Sequence, residues 1–163
     1  MRCSGAGADT TSIGIRNCLY FLAKSPKHYH QVQAEVDEFV EKSGSTEPIS
    51  YLDTQKLPVL KAIIKEATRL RPSIVFNLPR HAPENFTVRG HYIPPGTPVG
   101  ISPAAQNRDR DIWGDDADTF RPERFLESEE RAKYLDGCAM TFGGNGPRMC
   151  VGKNIALVSL HRT

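Results

Sequence analysis

The sequence predicts a mainly α-helical chain with a small β region, an α+β fold. Before residue 72, apolar residues recur at the three- and four-residue spacing that is typical of helices. Seven of the 12 prolines lie between residues 72 and 103, where they favour extended, turn-rich backbone. Five of the 13 glycines lie between residues 137 and 152, which indicates a loop with close approach or positive φ.

Length and composition indicate one globular unit of 163 residues. Leu, Ile, Val and Phe supply 37 residues, enough to form a hydrophobic core. Twenty-one basic and 19 acidic residues are interleaved and leave a net charge of +2, so nucleic acid is not an expected partner. No apolar run is long enough to cross a bilayer, and the first five residues match neither a signal nor a transit peptide.

Three helices are expected before the proline-rich region. The first is an apolar run that ends near Lys24. The second has Ser25 as its N-cap and Pro26 at its first position, and it ends near Lys42. The third covers residues 57–71, where a regular apolar stripe stops at a proline.

The small β region is expected within residues 72–102. Residues 86–93 and 97–101 are predicted to be short strands on either side of a Pro-Pro-Gly turn. A final helix is predicted to begin near Cys150 and to continue to Thr163.

Cysteines and histidines give no sign of a disulfide scaffold or a zinc site. The cysteines form no Cys-x-x-Cys pair, which argues against disulfides as the basis of the fold. His28 and His30 are interpreted as ordinary residues on a helix surface. The cysteines are Cys3, Cys18, Cys138 and Cys150.

The most informative segment is a glycine-rich loop, residues 142–152, that delivers Cys150 to the start of a helix. A helix N-terminus stabilises a thiolate, and glycines let backbone approach a flat ligand. Arg148 offers a planar fork that suits carboxylates. A lone thiolate beside such an arginine suits a haem iron better than zinc.

Two other interpretations of the loop stay open at this point. The cysteine could be a buried residue beside a glycine turn. Gly152 and Lys153 also suggest a phosphate-binding loop that opens a helix. That motif is imperfect, because Pro147 stands five residues before Gly152 and Asn154 replaces the required Ser or Thr.

Four segments in this order resemble the cytochrome P450 family. Each motif alone is weak, but the four together are specific and span nearly the whole chain. They are Ala-Gly-Ala-Asp-Thr-Thr at 6–11, Glu-Ala-Thr-Arg at 66–69, Phe-Arg-Pro-Glu-Arg-Phe at 120–125, and the loop at 142–152.

The resemblance implies a partial cytochrome P450 fold, truncated at both ends, in a single partial domain over residues 1–163. Its implied parts are the end of the distal oxygen-activation helix (1–24), the Glu-x-x-Arg helix (57–71), the turn and strand region (72–102), and the haem-binding loop with the following helix (142–163).

The resemblance also implies a cofactor and a reaction. Cys150 would be the proximal thiolate ligand of the iron of haem b, and thiolate ligation favours cleavage of the O–O bond. The family uses NADPH-derived electrons to insert one oxygen atom from O2 into an organic substrate. The other implied haem-contacting residues are Phe142, Gly143, Gly146, Gly152, Arg148 and Arg80, the two arginines at the propionates.

Two further groups of residues take roles from the resemblance. Asp9 and Thr10 would relay protons to bound oxygen, whereas an Asp-Thr run without the other motifs would indicate a helix cap. Glu66 and Arg69 would form a structural charge cluster with Arg124 behind the loop. The alternative for that pair is a surface ion pair three residues apart on one helix.

One local departure from the family pattern involves Phe142. The family places an aromatic residue seven positions before the cysteine, but Phe142 stands eight before Cys150 and Gly143 occupies the expected position. Either the loop holds a one-residue bulge or the ring does not pack where it usually does.

The chain is expected to be a fragment of a fungal microsomal enzyme. The implied partners are a small organic substrate and NADPH-cytochrome P450 reductase, which would dock near Lys153 and Arg148. Membrane contact is expected only through a missing N-terminal anchor, in the endoplasmic reticulum for the full-length parent. The chain itself is expected to be inactive or to bind haem weakly; the alternative is a truncated product without independent function.

Overall fold

Helices make up most of the chain, which confirms the predicted mainly α fold with a small β region. The structure, a computed structural model, describes the backbone of residues 3–44 and 47–163 and the side chains of residues 5–44 and 47–163. Met1, Arg2 and the Cys3 side chain therefore lie outside the described part. The helices are α1 (Cys3–Lys24), α2 (Pro26–Ser43), α3 (Tyr51–Thr54), α4 (Pro58–Leu70), α5 (Pro103–Gln106), α6 (Arg110–Trp113), α7 (Glu129–Cys138), α8 (Lys153–Arg162) and a 3₁₀ turn (Pro122–Phe125).

Helix α2 begins and ends where the sequence predicts, but its N-cap differs. Gly44 closes the helix with φ 60°, and its N–H donates to the carbonyl of Val40. Ser25 precedes the helix without capping it through its side chain. Its hydroxyl is instead hydrogen-bonded to Nδ1 of His28 at 2.6 Å.

The prediction that His28 and His30 both lie on a helix surface is wrong for His28. It fits His30, which is exposed. His28 is buried, and its Nε2 lies 3.2 Å from both carboxylate oxygens of Glu123. Its ring meets the edge of the Phe120 ring at a centroid distance of 5.2 Å. The cause is the 3₁₀ turn, which packs against the start of α2 and covers the imidazole.

Helix α4 lies between two hydrophobic clusters. Ala62 packs with Trp113, Phe125 and other buried residues on one side. On the other side Ile64 and Ala67 pack with residues of α1 and α8, including Cys18 and Leu160. The apolar stripe predicted for residues 57–71 is therefore covered on both flanks.

Helices α1 and α8 cross at Gly14. A Cβ placed at Gly14 would lie 3.2 Å from Cδ2 of Leu160, which is tighter than most real contacts. The missing side chain lets the two helices approach closely. This crossing joins the predicted oxygen-activation helix to the helix that follows Cys150.

The β region differs from the prediction. Residues 86–93 form a hairpin, β2 (Thr87–Val88) and β3 (His91–Tyr92), rather than one strand. Arg89 and Gly90 take positive φ values of 49° and 82°, which turns the chain back. The second pair joins β1 (Arg80–His81) antiparallel to β4 (Pro98–Val99).

The final helix begins at Lys153, three residues later than the position near Cys150 that the sequence suggested. Helix α7 was not predicted, although Ser128 accepts the N–H of Arg131 and two glutamates occupy its first turn. Within the described residues, no helix is long and apolar enough to cross a bilayer.

Candidate functional site

A buried carboxylate on α4 holds two guanidinium groups. The Nε and Nη2 atoms of Arg69 each donate to a Glu66 oxygen at 2.8 Å, in a bidentate pair. Arg124, on the 3₁₀ turn, donates from Nε to Glu66 Oε1 at 3.0 Å. All three side chains are 0% exposed, so the interpretation as a surface ion pair does not apply.

Most of the remaining hydrogen bonds of these arginines go to backbone carbonyls. Arg69 Nη1 donates to the carbonyls of Asn107 at 2.5 Å and Ala117 at 2.7 Å. Arg124 Nη1 donates to the carbonyl of Trp113 at 2.8 Å. The Trp113 ring also lies 4.7 Å from the Arg69 guanidinium carbon. Burying a charge is costly, and hydrogen bonds such as these offset that cost, so the loss of one partner is strongly destabilising.

A second carboxylate lies at the edge of this charge cluster. Asp116 accepts from Arg124 Nη1 at 3.3 Å and pairs with Arg121 Nε at 2.6 Å. Burial raises the pKa of Asp116, but the positive charges of Arg124 and Arg121 outweigh burial and hold that pKa below its usual value. Asp116 therefore adds negative charge beside the two buried arginines.

A fully buried asparagine connects the cluster to the glycine-rich loop. Asn107 donates from Nδ2 to the carbonyl of Arg69 at 3.1 Å, and its Oδ1 accepts the N–H of Met140 at 2.8 Å. Sequence reasoning missed this residue, because a polar Asn-Arg-Asp-Arg run at 107–110 suggests an exposed loop.

The glycine-rich loop is closed by a hydrogen bond from the N–H of Cys150 to the carbonyl of Phe142, at 2.9 Å. Inside it, Gly143, Gly144 and Gly146 take φ values of 81°, 77° and 117°. These conformations are costly for any residue with a Cβ. All three of these glycines lie between Phe142 and Cys150.

The Phe142 ring packs into the protein despite its shifted position in the sequence. It contacts the cluster formed by α1, α4 and α8, with Leu157 and Leu160 among its members. The Nζ of Lys153 lies 5.8 Å from the centroid of this ring. The Phe142 ring therefore packs against this cluster from its position eight residues before Cys150.

Cys150 presents its thiol at the surface, three residues before α8 begins. Val151 is fully exposed and Ile155 is 76% exposed. Exposed apolar side chains therefore stand one and five residues after Cys150 in the sequence. A single thiolate is a sufficient protein donor for a metal that brings its other ligands, as iron in haem does. An exposed thiol with exposed apolar neighbours therefore fits a flat, apolar metal complex.

Cys18 has a different environment. It is buried between α1 and α4, and burial raises the pKa of its thiol to about 12. The interpretation as an inert buried cysteine thus describes Cys18 and not Cys150, which is exposed.

Asp9 and Thr10 lie inside α1, six and seven residues after its first residue, so neither caps the helix. The Thr10 hydroxyl donates to the carbonyl of Ala6 at 2.7 Å. The Thr10 carbonyl accepts from the hydroxyl of Ser73 at 2.7 Å, which ties α1 to the segment after α4. Asp9 is exposed.

The two arginines predicted at carboxylates are both exposed. Arg80 begins β1, and its Nη1 donates to the carbonyls of Leu78 at 3.1 Å and Pro79 at 3.0 Å. Arg148 lies on the loop and makes no hydrogen bond or ion pair within residues 5–44 and 47–163. The structure does not join either arginine to the charge cluster.

Fold and site together define a mainly helical protein in which a buried Glu-Arg-Arg cluster supports a loop that carries one exposed cysteine. The chain belongs to the cytochrome P450 family, since a family model described as cytochrome P450 matches residues 1–162. Members of this family hold haem through a cysteine thiolate that ligates the iron.

Individual relatives agree with this assignment. The chain is similar to cytochrome P450 monooxygenase cicH of Emericella nidulans, at 44% identity over 158 residues, which are 96% of this chain and 32% of that protein. It is 38% identical over 159 residues to pisatin demethylase of Fusarium vanettenii, covering 97% of this chain and 30% of that protein.

A solved structure of a zebra fish cytochrome P450 with progesterone superposes with a TM-score of 0.80 and 36% identity. The match covers 97% of this chain and 34% of that one. The predicted partial cytochrome P450 fold is thereby confirmed. The chain spans about a third of the length of the proteins it matches.

Proposed function

We propose that this chain is the haem-binding part of a haem-thiolate monooxygenase, with Cys150 as the axial ligand of the iron of haem b. The observation that carries the proposal is the exposed thiol of Cys150 at the end of a closed, anchored loop. When bound, the haem supplies the chemistry that activates O2, from which one oxygen atom enters an organic substrate.

The loop holds the cofactor through backbone and ring contacts. Gly143, Gly146 and Gly152 carry no Cβ, so the backbone approaches the flat face of the haem closely. A Cβ at Gly152 would lie 3.8 Å from the Cys150 sulfur. The Phe142 ring keeps the start of the loop packed against α8 and α4.

Arg148 and Arg80 bind the carboxylates of the cofactor. Arg148 is exposed on the loop. Arg80 uses one terminal nitrogen for backbone carbonyls, and a guanidinium has five N–H donors in all. Both side chains therefore have donors for the propionates.

Asp9 and Thr10, on α1, would relay protons to the bound oxygen. The Thr10 hydroxyl is oriented by its bond to the Ala6 carbonyl, so its oxygen is held in place as a proton relay. Asp9 is exposed, so its carboxylate is accessible to water. The buried cluster of Glu66, Arg69 and Arg124 has a structural role in keeping the loop in position.

The rest of the function follows from the family. A small organic substrate and a redox partner, NADPH-cytochrome P450 reductase, belong to the whole protein. The reductase docks on the cysteine side, near Lys153 and Arg148. The parent enzyme is associated with the endoplasmic reticulum membrane, and residues 1–24, 57–71, 72–102 and 142–163 are the parts of its haem-binding region.

The test is a haem titration of the chain and two cysteine variants. Cys150→Ser removes the proposed ligand, and Cys138→Ser is the matched control because Cys138 is also a free, partly accessible cysteine. Electron paramagnetic resonance of the ferric haem, normalised to bound haem, reports the axial ligand. We expect a thiolate signal in the unmodified chain and in Cys138→Ser, and its loss in Cys150→Ser. An unchanged signal in Cys150→Ser would overturn the proposal.

A further inference from the structure

Every polar group of Asn107 is engaged in a fully buried position. Its backbone carbonyl accepts from Arg69 Nη1 at 2.5 Å, and its backbone N–H donates to the carbonyl of Pro103 at 3.0 Å. Its side-chain amide donates to the carbonyl of Arg69 and accepts from the N–H of Met140. One residue thus binds both the side chain and the main chain of Arg69.

The bond to Met140 is the one that leaves the cluster. Arg69 is already fixed by Glu66 through two hydrogen bonds of 2.8 Å. Asn107, in turn, is fixed by two bonds to Arg69. Its Oδ1 therefore presents an acceptor whose position is set by the charge cluster, and the main chain at Met140 docks on it.

Met140 lies two residues before the glycine-rich loop. Its carbonyl accepts the N–H of Gly143 at 3.2 Å, which forms the turn that enters the loop. Its sulfur lies 2.8 Å from where a Cβ of Gly144 would stand, so a larger residue at Gly144 would displace the Met140 side chain. A shift of Met140 would therefore move both glycines and, through the bond from the Cys150 N–H to Phe142, the cysteine.

We propose that Asn107 is a positioning residue that fixes the register of the glycine-rich loop against the buried charge cluster. Its side-chain oxygen sets where Met140 leads into the loop, and thereby where the Cys150 sulfur stands. The part of this inference that concerns the iron ligand rests on the proposed function.

Asn17 provides a matched control. It is also a buried asparagine, and its Nδ2 donates to the carbonyl of Arg71 at the end of α4, at 2.8 Å. Within the described residues it makes no hydrogen bond to residues 140–152. Asn17→Leu and Asn107→Leu each remove a buried amide near the end of α4, but only Asn107→Leu removes the link to the loop.

The first experiment is amide hydrogen exchange of the haem-free chain under native conditions. In Asn107→Leu we expect exchange to accelerate about 10-fold at Met140, Gly143 and Cys150 relative to amides of α4, as for one lost hydrogen bond. In Asn17→Leu the ratio of loop to α4 exchange should stay as in the unmodified chain. Acceleration at Met140 alone, or equal acceleration in both variants, would overturn the proposal.

A second variant keeps the acceptor oxygen. Asn107→Asp retains an oxygen for the N–H of Met140, and its second oxygen takes the place of Nδ2, which faces the carbonyl of Arg69 at 3.1 Å. We expect loop exchange in Asn107→Asp to return at least halfway from the Leu variant toward the unmodified chain. If the loop exchanges as fast as in Asn107→Leu, the acceptor oxygen does not hold the loop.

A spectroscopic readout separates positioning from general stability. With haem bound, we expect Asn107→Leu to lose about half or more of the thiolate-ligated fraction, whereas Asn17→Leu keeps it. Equal fractions in the two variants would contradict the effect on Cys150. If the unmodified chain gives no thiolate signal, the proposed function fails, while the exchange experiment still tests the loop register on its own.

Discussion

Glu66 determines the balance of charge at the buried cluster. Its Oε1 accepts from both arginines and also from the backbone N–H of Arg121, at 3.0 Å. Removing this carboxylate would leave the buried Arg69 guanidinium without a counter-ion, and would leave Arg124 with only Asp116 at the edge of the cluster. A buried, unpaired charge is among the most costly changes that one substitution makes.

We therefore predict that Glu66→Ala lowers the free energy of unfolding by about 3–5 kcal/mol, measured by urea denaturation of the haem-free chain. Glu38→Ala is the control. Glu38 pairs with Lys42 on the exposed face of α2, and such pairs contribute little because water screens them. Equal losses of stability in the two variants would show that the cluster is not a structural support.

At the scale of elements, the crossing of α1 and α8 depends on the absence of a side chain at Gly14. Gly7 lies on the same helix, two turns earlier, with open space around its Cα. Alanine usually stabilises a helix relative to glycine by about 0.5–1 kcal/mol. At Gly14 the new methyl group would press on Leu160.

The prediction is that Gly7→Ala raises the free energy of unfolding by about 0.5–1 kcal/mol, whereas Gly14→Ala gives no gain or a loss. Thermal denaturation of the haem-free chain measures both. A gain in Gly14→Ala as large as that in Gly7→Ala would mean that the two helices do not meet at this glycine.

A second link between elements joins α2 to the 3₁₀ turn. Burial raises the pKa of Glu123, but hydrogen bonds from Lys27, at 2.5 Å, and His28 outweigh burial and lower that pKa from 4.5 to about 2. A carboxyl whose pKa is lower in the folded state stabilises the fold above its ordinary pKa. That contribution disappears as the pH falls from the ordinary value toward the lowered one.

We predict that the free energy of unfolding falls as the pH is lowered from about 4.5 to about 2, and that Glu123→Gln makes this fall shallower. Urea denaturation at a series of pH values measures the slope. The same slope with and without the carboxylate would contradict the ion-paired state of Glu123.

At the scale of the whole molecule, helices with regularly spaced apolar residues could be predicted from the sequence. The burial of polar side chains could not. The end of α1 and the bounds of α2 and α4 followed from apolar spacing, prolines and Gly44, because these act locally along the chain. The burial of His28 and Asn107 depends on partners about 95 and 33 residues away in sequence, which no local pattern reveals. The hairpin was missed because a non-glycine residue, Arg89, takes positive φ.

The candidate site shows the same division. Glycine spacing and the single Cys150 indicated the loop, and family resemblance supplied the roles of the residues around it. The depth of the Glu66 cluster, and its connection to the loop through Asn107, came from the fold alone. Whether a charged side chain is buried depends on how the elements assemble. The three-residue spacing of Glu66 and Arg69 on one helix therefore predicted an ion pair but not its burial.

Exposure around the cysteine predicts weak haem retention by this chain. Val151 and Ile155 are open to solvent beside Cys150, so water reaches the face that would carry the cofactor. We expect excess apomyoglobin to withdraw haem from the chain, as followed by the change in the Soret band. Retention of haem against this acceptor would show a tighter site than the exposed face indicates.

The identity of the iron ligand is tested most directly by the carbon-monoxide difference spectrum of the reduced, haem-loaded chain, normalised to bound haem. If Cys150 is the ligand, we expect the Soret shift of a thiolate-ligated haem in the unmodified chain and in Cys138→Ser. We expect no such shift in Cys150→Ser. A spectrum of nitrogen-ligated haem in the unmodified chain, or a thiolate spectrum that persists in Cys150→Ser, would contradict it.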